Sequence, residues 1–158
     1  MREFAVFVPV NAEVRIGDTH QKLPLHCTIM PWAQMLECSE TVIRETRMIC
    51  ANFQPFKLIC NRQGMFGKHR DTPVAVLERT NTIWSLHMTL HEMFVDLGAS
   101  FNNPIFDIEW LGPGYMPHVT WIDDQGLTDG DVVMAEKVFL AEWLPGRTEK
   151  KILSIIDL

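Results

Sequence analysis

The sequence predicts an α+β fold with two similar halves, each holding one helix and one strand that carries a His-x-Thr motif. Segments with strand and helix patterns interleave along the chain in the order β-β-α-β-β-α-β-β-β. There is neither a regular βαβ alternation nor a Gly-rich phosphate loop. The 158 residues, 47% of them hydrophobic, fit one domain that spans residues 1–158.

The first half is predicted to contain two strands followed by a helix. Residues 4–10 are rich in β-branched and aromatic side chains, which favours a buried strand. Residues 24–32 form the second strand, and Pro31 is expected to end it or to place it at a sheet edge. Ser39 is the expected N-cap of the first helix, because apolar residues recur at helical spacing after it.

The rest of the chain is predicted to hold five strands and the second helix. Strands at 56–60 and 73–78 flank a polar loop at 61–72. An apolar stripe predicts a helix at about 82–97, capped by a polar residue at 80–82. The remaining segments are interpreted as a loop at 100–114, a strand at 116–122, a turn region at 123–131, and a strand pair at 137–144 and 151–157.

Bulk properties restrict the classes of partner. The net charge of −6 argues against sequence-independent binding to duplex DNA, which needs a basic face. No segment has the length of a membrane span, and the N-terminus lacks the apolar core of a secretory signal. We therefore expect a soluble, cytoplasmic monomer without a membrane partner. The four cysteines form no Cys-x-x-Cys pair, so we expect free, buried thiols and no metal or cofactor.

One segment departs from the acidic character of the chain. Residues 46–70 contain no Asp or Glu, although several basic residues lie there. Taken alone, this pattern favours a solvated loop over a local basic pocket for a phosphate group.

Two His-x-Thr motifs lie on predicted strands. Alternate strand residues point to the same face, so His26 and Thr28 project together, as do His118 and Thr120. Cleavage of a phosphodiester needs a base for the attacking oxygen and an acid for the leaving oxygen. Two histidines fill these roles near neutral pH, and threonine hydroxyls bind the phosphate oxygens, without any requirement for a metal.

A third copy of the pattern begins at His87, within the second predicted helix. Helix positions two apart diverge by about 200° around the axis, so His87 and Thr89 do not face one ligand. We interpret His87 as a partly exposed helix residue. Its i, i+4 partner His91 makes a zinc site conceivable, but the sequence shows no third ligand, and a structural role is favoured.

With these motifs the sequence resembles the 2H phosphoesterase superfamily, and within it the 2′-5′ RNA ligase-like or LigT-like proteins. The resemblance covers nearly the whole chain. Besides the two motifs it rests on four further segments, Val8-Pro9-Val10, Phe56-Lys57-Leu58, Gly64-Met65-Phe66-Gly67 and Phe139-Leu140-Ala141-Glu142-Trp143. It implies a two-lobed, pseudo-twofold fold with antiparallel sheets, one main helix per lobe, and a cleft that carries one motif from each lobe.

The resemblance also implies an activity and residue roles. The activity is hydrolysis or transesterification at 2′,3′-cyclic phosphates or 2′-5′ linkages of nucleotides or RNA ends. The catalytic role falls on His26 and His118, and the phosphate contacts fall on Thr28 and Thr120.

Further candidates are suggested by residue type. Phe66, Tyr115 and Trp32 are candidates for stacking a base, although core or loop packing is the more frequent role of such residues. Lys68 and Arg70 are candidates for neutralising phosphate, with Arg62 and Arg147 as weaker alternatives. Two other functions remain open at this point. One is degradation of a 2′-5′ oligoadenylate or cyclic oligonucleotide signal, and the other is nucleotide binding without turnover.

Overall fold

The fold was analysed in a computed structural model that describes residues 1–101, 111–146 and 148–158. The described residues form nine strands, two helices and a short 3-10 turn at Gly112–Gly114. The strands and helices, in chain order, are β1 (Arg2–Pro9), β2 (Thr19–His20), β3 (His26–Met35), α1 (Ser39–Cys50), β4 (Phe56–Phe66), β5 (Thr72–Leu77), α2 (Asn81–Asp96), β6 (His118–Thr120), β7 (Val132–Ala135), β8 (Lys137–Trp143) and β9 (Lys150–Asp157).

The strands form one antiparallel sheet in the order β2-β9-β8-β1-β3-β6-β5-β4-β7. Five strands, ending at β3, make the first lobe, and four strands, beginning at β6, make the second. The lobes meet where β3 pairs with β6, through the residue pair Cys27 and Val119. Each of these two central strands carries one His-x-Thr motif, so the sheet order brings the motifs together.

Strand alternation sorts the side chains of β1 onto two faces. Phe4, Val6 and Val8 are fully buried in the large core beneath the helices. Ala5 and Phe7 point the other way, into a smaller cluster beside the motifs. Because β1 is covered on both faces, it appears in the sequence as a continuous apolar run.

The helices cover the core face of the sheet. The two helices contact each other. Helix α1 packs on β9, and α2 packs on β3, the strand that carries the first motif. The apolar stripe of α2 is fully buried at Leu86, Leu90 and Phe94. Thr80 caps α2, since its hydroxyl accepts a hydrogen bond from the backbone N–H of Ile83 at 3.4 Å.

Several predicted boundaries were wrong. Pro31 does not end β3, because a β-bulge accommodates it. Phe4 and Val6, two residues apart on β1, pair with Ala33 and Met30, which are three residues apart on β3. The predicted loop at 61–72 is largely strand, since β4 continues to Phe66 and pairs with β5.

Two further features of the fold differ from the sequence prediction. Strand β7 was missed, because two of its four residues are exposed and its partner among the described strands is the distant β4. The N-cap of α1 is Cys38 rather than Ser39, whose hydroxyl instead accepts a hydrogen bond from Arg2. Neither α1 nor α2 is long and apolar enough to cross a bilayer, and these are the helices of the described segments.

All four cysteines are free thiols. Cys27, Cys50 and Cys60 are buried, as predicted, whereas Cys38 is exposed at the start of α1. Burial raises the pKa of the Cys27 thiol to about 12, so it stays protonated behind the first motif.

Candidate active site

The two motifs face each other diagonally across the β3–β6 pair. The antiparallel pairing of Cys27 with Val119 places His26 opposite Thr120 and Thr28 opposite His118. Cys27 and Val119 are fully buried, so the histidines and threonines project from the other face. Diagonal neighbours on such a pair lie roughly 7–8 Å apart, with their Cβ atoms somewhat closer. A group held between the imidazoles is therefore flanked by the two hydroxyls on the other diagonal.

The backbone holds both imidazoles in the same tautomer. Nδ1 of His26 donates to the carbonyl oxygen of Pro24 at 2.6 Å, and Nδ1 of His118 donates to that of Met116 at 2.9 Å. In both motifs the acceptor lies two residues before the histidine. Because a carbonyl oxygen only accepts, Nδ1 must carry the proton. In the neutral ring the basic lone pair is then on Nε2.

A phenylalanine ring packs edge to face with each imidazole. The ring centroid of Phe7 lies 4.6 Å from that of His26, at an interplanar angle of 72°. Phe66 lies 4.9 Å from His118 at 71°. These contacts and the Nδ1 hydrogen bonds together fix the direction of each ring, as acid–base catalysis requires. Phe66, predicted to stack a base, thus lies beside the second histidine.

Burial lowers the pKa of both histidines. For His26 the loss of hydration lowers the pKa to about 4, which the Pro24 carbonyl opposes and the nearby His118 reinforces. Burial also lowers the pKa of His118, against the effect of the Met116 carbonyl. Both rings are consequently neutral at pH 7 when no ligand is present, so either one is available as a base.

The four motif side chains line one cleft of about 660 Å³. Its described walls combine apolar and aromatic side chains with two lysines, Lys68 and Lys150, and include no Asp or Glu. In a chain of net charge −6 this composition favours an anionic ligand in the cleft. Lys68 was a predicted phosphate ligand, and it lies in the turn between β4 and β5, at the second lobe.

Lys150 was missed by the sequence analysis. It begins β9 in the first lobe, and its Nζ donates to the carbonyl oxygens of Gln21 and Thr148 at 2.5 and 3.2 Å. The ammonium also lies 4.5 Å from the ring centroid of Trp143, and burial lowers its pKa. No motif surrounds Lys150, and the long-range pairing of β9 with β8 and β2 brings it to the cleft.

Two predicted stacking residues lie in the protein interior. Tyr115 is 5% exposed, and its ring lies parallel to that of His87 at a centroid distance of 3.9 Å. Trp32 is 6% exposed and packs edge to face against Phe7 and Trp143. Both reach the cleft wall. His87 covers one face of the Tyr115 ring, so that face does not stack on a base.

The two predicted arginines that the structure describes, Arg62 and Arg70, are not part of the cleft wall. Arg70 is exposed in the β4–β5 turn, where it adopts a φ of 51°. Arg62 is exposed on β4, and its Nη1 donates to the carbonyl of the neighbouring Gln63. Arg147 lies outside the described residues.

The third His-x-Thr copy also differs from the prediction, because His87 is fully buried rather than partly exposed. The ring of His91 stacks near it at a centroid distance of 6.1 Å. Within the described segments, no three His, Cys, Asp or Glu side chains come together as a metal-binding group. Each ring nitrogen of His87 makes a hydrogen bond to a backbone group.

Comparison with known proteins shows similarity in structure and not in sequence. No protein-family model matches the chain, and no curated protein matches it. A crystal structure of a phosphoesterase matches with a TM-score of 0.56 and 16% identity over 99% of this chain and 98% of the other. E. coli LigT matches in its complexes with 3′-AMP and with phosphate, with a TM-score of 0.57 and 15% identity for each. These matches cover 99% of this chain and 98% and 97% of LigT. The chain therefore has the two-lobed α+β fold of E. coli LigT.

Proposed function

We propose that this protein is a metal-independent phosphodiesterase that acts on 2′,3′-cyclic phosphates or 2′-5′ linkages in nucleotides or RNA ends. The observation that carries the proposal is the diagonal pair of imidazoles in one cleft, each with Nδ1 bonded to a backbone carbonyl. Two basic Nε2 atoms thus flank the place where a phosphorus atom would lie. Such a pair supplies the base and the acid that in-line displacement at phosphorus needs.

The proposed reaction uses one imidazole on each side of the phosphorus. One Nε2 removes the proton from the attacking oxygen, which is water for a cyclic phosphate or a ribose hydroxyl in transesterification. The new P–O bond forms as the opposite P–O bond breaks. The second imidazole, which is protonated beforehand, gives its proton to the leaving oxygen. The direction of the reaction decides which of His26 and His118 is the base. Each proton transfer typically contributes ~10²–10⁴ to the rate.

The hydroxyls and lysines of the cleft suit the charge of this reaction. Thr28 and Thr120 are partly buried beside the histidines and are expected to donate to the non-bridging oxygens. Lys68 and Lys150 add positive charge from the two lobes. An anionic diester that enters this cleft also favours protonation of one neutral imidazole, which prepares the acid.

A nucleotide substrate is further supported by the ligands of structural neighbours. LigT structures exist in complex with 3′-AMP, ATP, NADP+ and phosphate. A cleft of about 660 Å³ suits a ligand of one or a few nucleotides better than a long RNA.

A second candidate substrate is a short 2′-5′ oligoadenylate or a cyclic oligonucleotide. The observation that favours it is the presence of two lysines in addition to the two histidines. Such ligands carry more than one phosphate, and Lys68 and Lys150 offer places for the additional charges. Binding without turnover remains the competing result.

A substrate panel tests the proposal. The protein is incubated, with and without EDTA, with 2′,3′-cyclic nucleotides, 2′-5′ and 3′-5′ dinucleotides and cyclic dinucleotides, and the products are identified by mass spectrometry. We expect cleavage of at least one 2′-linked or cyclic substrate, unchanged by EDTA. His26→Ala and His118→Ala should each abolish it while leaving the melting temperature nearly unchanged.

The control is His69→Ala, since His69 is exposed and lies outside the cleft wall. This variant should keep wild-type turnover. Near wild-type rates in either cleft variant would refute the two-histidine mechanism. Calorimetric binding without any product would instead indicate a nucleotide-binding module.

A further inference from the structure

The buried His87 has both ring nitrogens bonded to backbone groups. Its Nδ1 donates to the carbonyl oxygen of Ile29 at 2.7 Å, and its Nε2 accepts from the backbone N–H of Gly112 at 2.9 Å. A neutral imidazole with the proton on Nδ1 satisfies both contacts. Burial lowers the pKa of His87 to about 4, which keeps the ring in this form.

Tyr115 packs on His87 and holds the adjoining carbonyl of the same strand. The two rings are parallel, with an interplanar angle of 5°, and the hydroxyl of Tyr115 donates to the carbonyl oxygen of Thr28 at 2.9 Å. The consecutive carbonyls of Thr28 and Ile29, in the first motif, are thus bonded to Tyr115 and His87. We call these two side chains and their three backbone hydrogen bonds the His87–Tyr115 brace.

The brace joins the first motif to the segment that leads into the second. Gly112 and Tyr115 lie six and three residues before His118, and Met116 supplies the carbonyl that orients the His118 ring. The direct pairing of β3 with β6 comprises the single residue pair Cys27 and Val119. Because this strand pairing is so short, it restrains the distance between the two motifs only weakly. The three hydrogen bonds of the brace add a second connection between them in the core.

We propose that His87 and Tyr115 are positioning residues that fix the geometry of the His26–Thr28 motif relative to His118. This inference rests on the proposed phosphodiesterase function for its kinetic consequence. Neither residue takes part in proton transfer. An error of about 1 Å in the placement of reacting groups is enough to cost ~10²-fold in rate, so the brace acts on turnover more than on substrate affinity.

Single-group variants test the brace in the full chain. Tyr115→Phe removes one hydroxyl and keeps the stacked ring, whereas His87→Phe removes both imidazole hydrogen bonds. We expect kcat to fall between about tenfold and a hundredfold, most in His87→Phe, with KM changed less than about twofold. His87→Gln should recover part of the loss, because its amide oxygen offers the Gly112 N–H an acceptor in place of the imidazole Nε2. Thr89→Ala is the matched control, since it removes a hydroxyl bonded within α2 to Ser85.

A second readout does not depend on turnover. In Tyr115→Phe, the imidazole ¹H–¹⁵N signals of His26 and His118 should shift, while those of His20 and His69 stay in place. Wild-type kcat together with unchanged His26 and His118 signals in Tyr115→Phe would overturn the inference, even if His87→Phe failed to fold. Shifted signals in a protein that cleaves no diester would support the brace and refute the proposed phosphodiesterase function.

Discussion

The lowered pKa values of the two motif histidines predict an acidic optimum for kcat/KM. A reduction of the His26 pKa from 6.5 to about 4 makes this ring roughly 300-fold less protonated than an ordinary histidine at the same pH. The pKa of His118 also lies below 6.5. The reaction needs one protonated and one neutral imidazole, and above both pKa values the protonated member becomes rarer by tenfold for each pH unit.

The assay is kcat/KM from pH 4 to pH 9 on a substrate from the panel, at constant ionic strength. Between pH 6.5 and 8.5 we expect kcat/KM to fall about a hundredfold in all, with an apparent pKa that belongs to the coupled pair. The profile of kcat should lie at higher pH than that of kcat/KM, because the bound anion raises the pKa of the imidazoles.

The control for this profile is Lys150→Met, which removes another cleft group whose pKa burial lowers. The decrease between pH 6.5 and 8.5 should persist in this variant. A kcat/KM that stayed flat or rose over this range in the wild-type protein would refute the assignment of a protonated imidazole as the acid.

Four further outcomes follow from the structure. Thr28→Val and Thr120→Val should each lower kcat about a hundredfold in steady-state assays, through loss of a phosphate donor. Lys150→Met should raise KM about tenfold with kcat unchanged, in the same assays. Gly126→Ala should lower the free energy of unfolding in urea by about 1–3 kcal/mol, because its Cβ would lie 2.4 Å from the Trp121 ring. Acidification from pH 6.5 towards pH 4 should also destabilise the fold. The imidazoles of His26 and His87 have folded-state pKa values of about 4, below their unfolded value of 6.5, so the unfolded chain binds more protons in this range. Each contributes a loss of up to ~1.4 kcal/mol per pH unit, measured by urea unfolding at several pH values.

Local periodicity was sufficient for most of the elements. The apolar stripe and Thr80 predicted α2 nearly to the residue, because a cap and a 3.6-residue repeat are encoded within one segment. The continuous apolar run of β1 likewise identified a buried strand. The course of β3 through Pro31 was not predictable in this way, since the bulge that accommodates the proline depends on the pairing with β1. The continuation of β4 depends in the same way on β5.

For the site, the sequence by itself determined which residue types are present and which of them share a face. Alternation along a strand placed His26 with Thr28 and His118 with Thr120, and the helical angle separated His87 from Thr89. What decided the rest was long-range pairing. The β3–β6 contact set the diagonal arrangement of the motifs, and the β8–β9 pairing brought Lys150 to the cleft.

The third His-x-Thr copy, at His87, shows most clearly what the sequence determines and what the tertiary structure decides. From the sequence, His87 could be excluded from the catalytic pair, but its burial and its bonds to Ile29 and Gly112 could not be foreseen. Periodicity reports the direction of a side chain relative to its own element. Which backbone groups meet that side chain depends on how α2, β3 and the turn at Gly112–Gly114 pack together, and only the tertiary structure decides this.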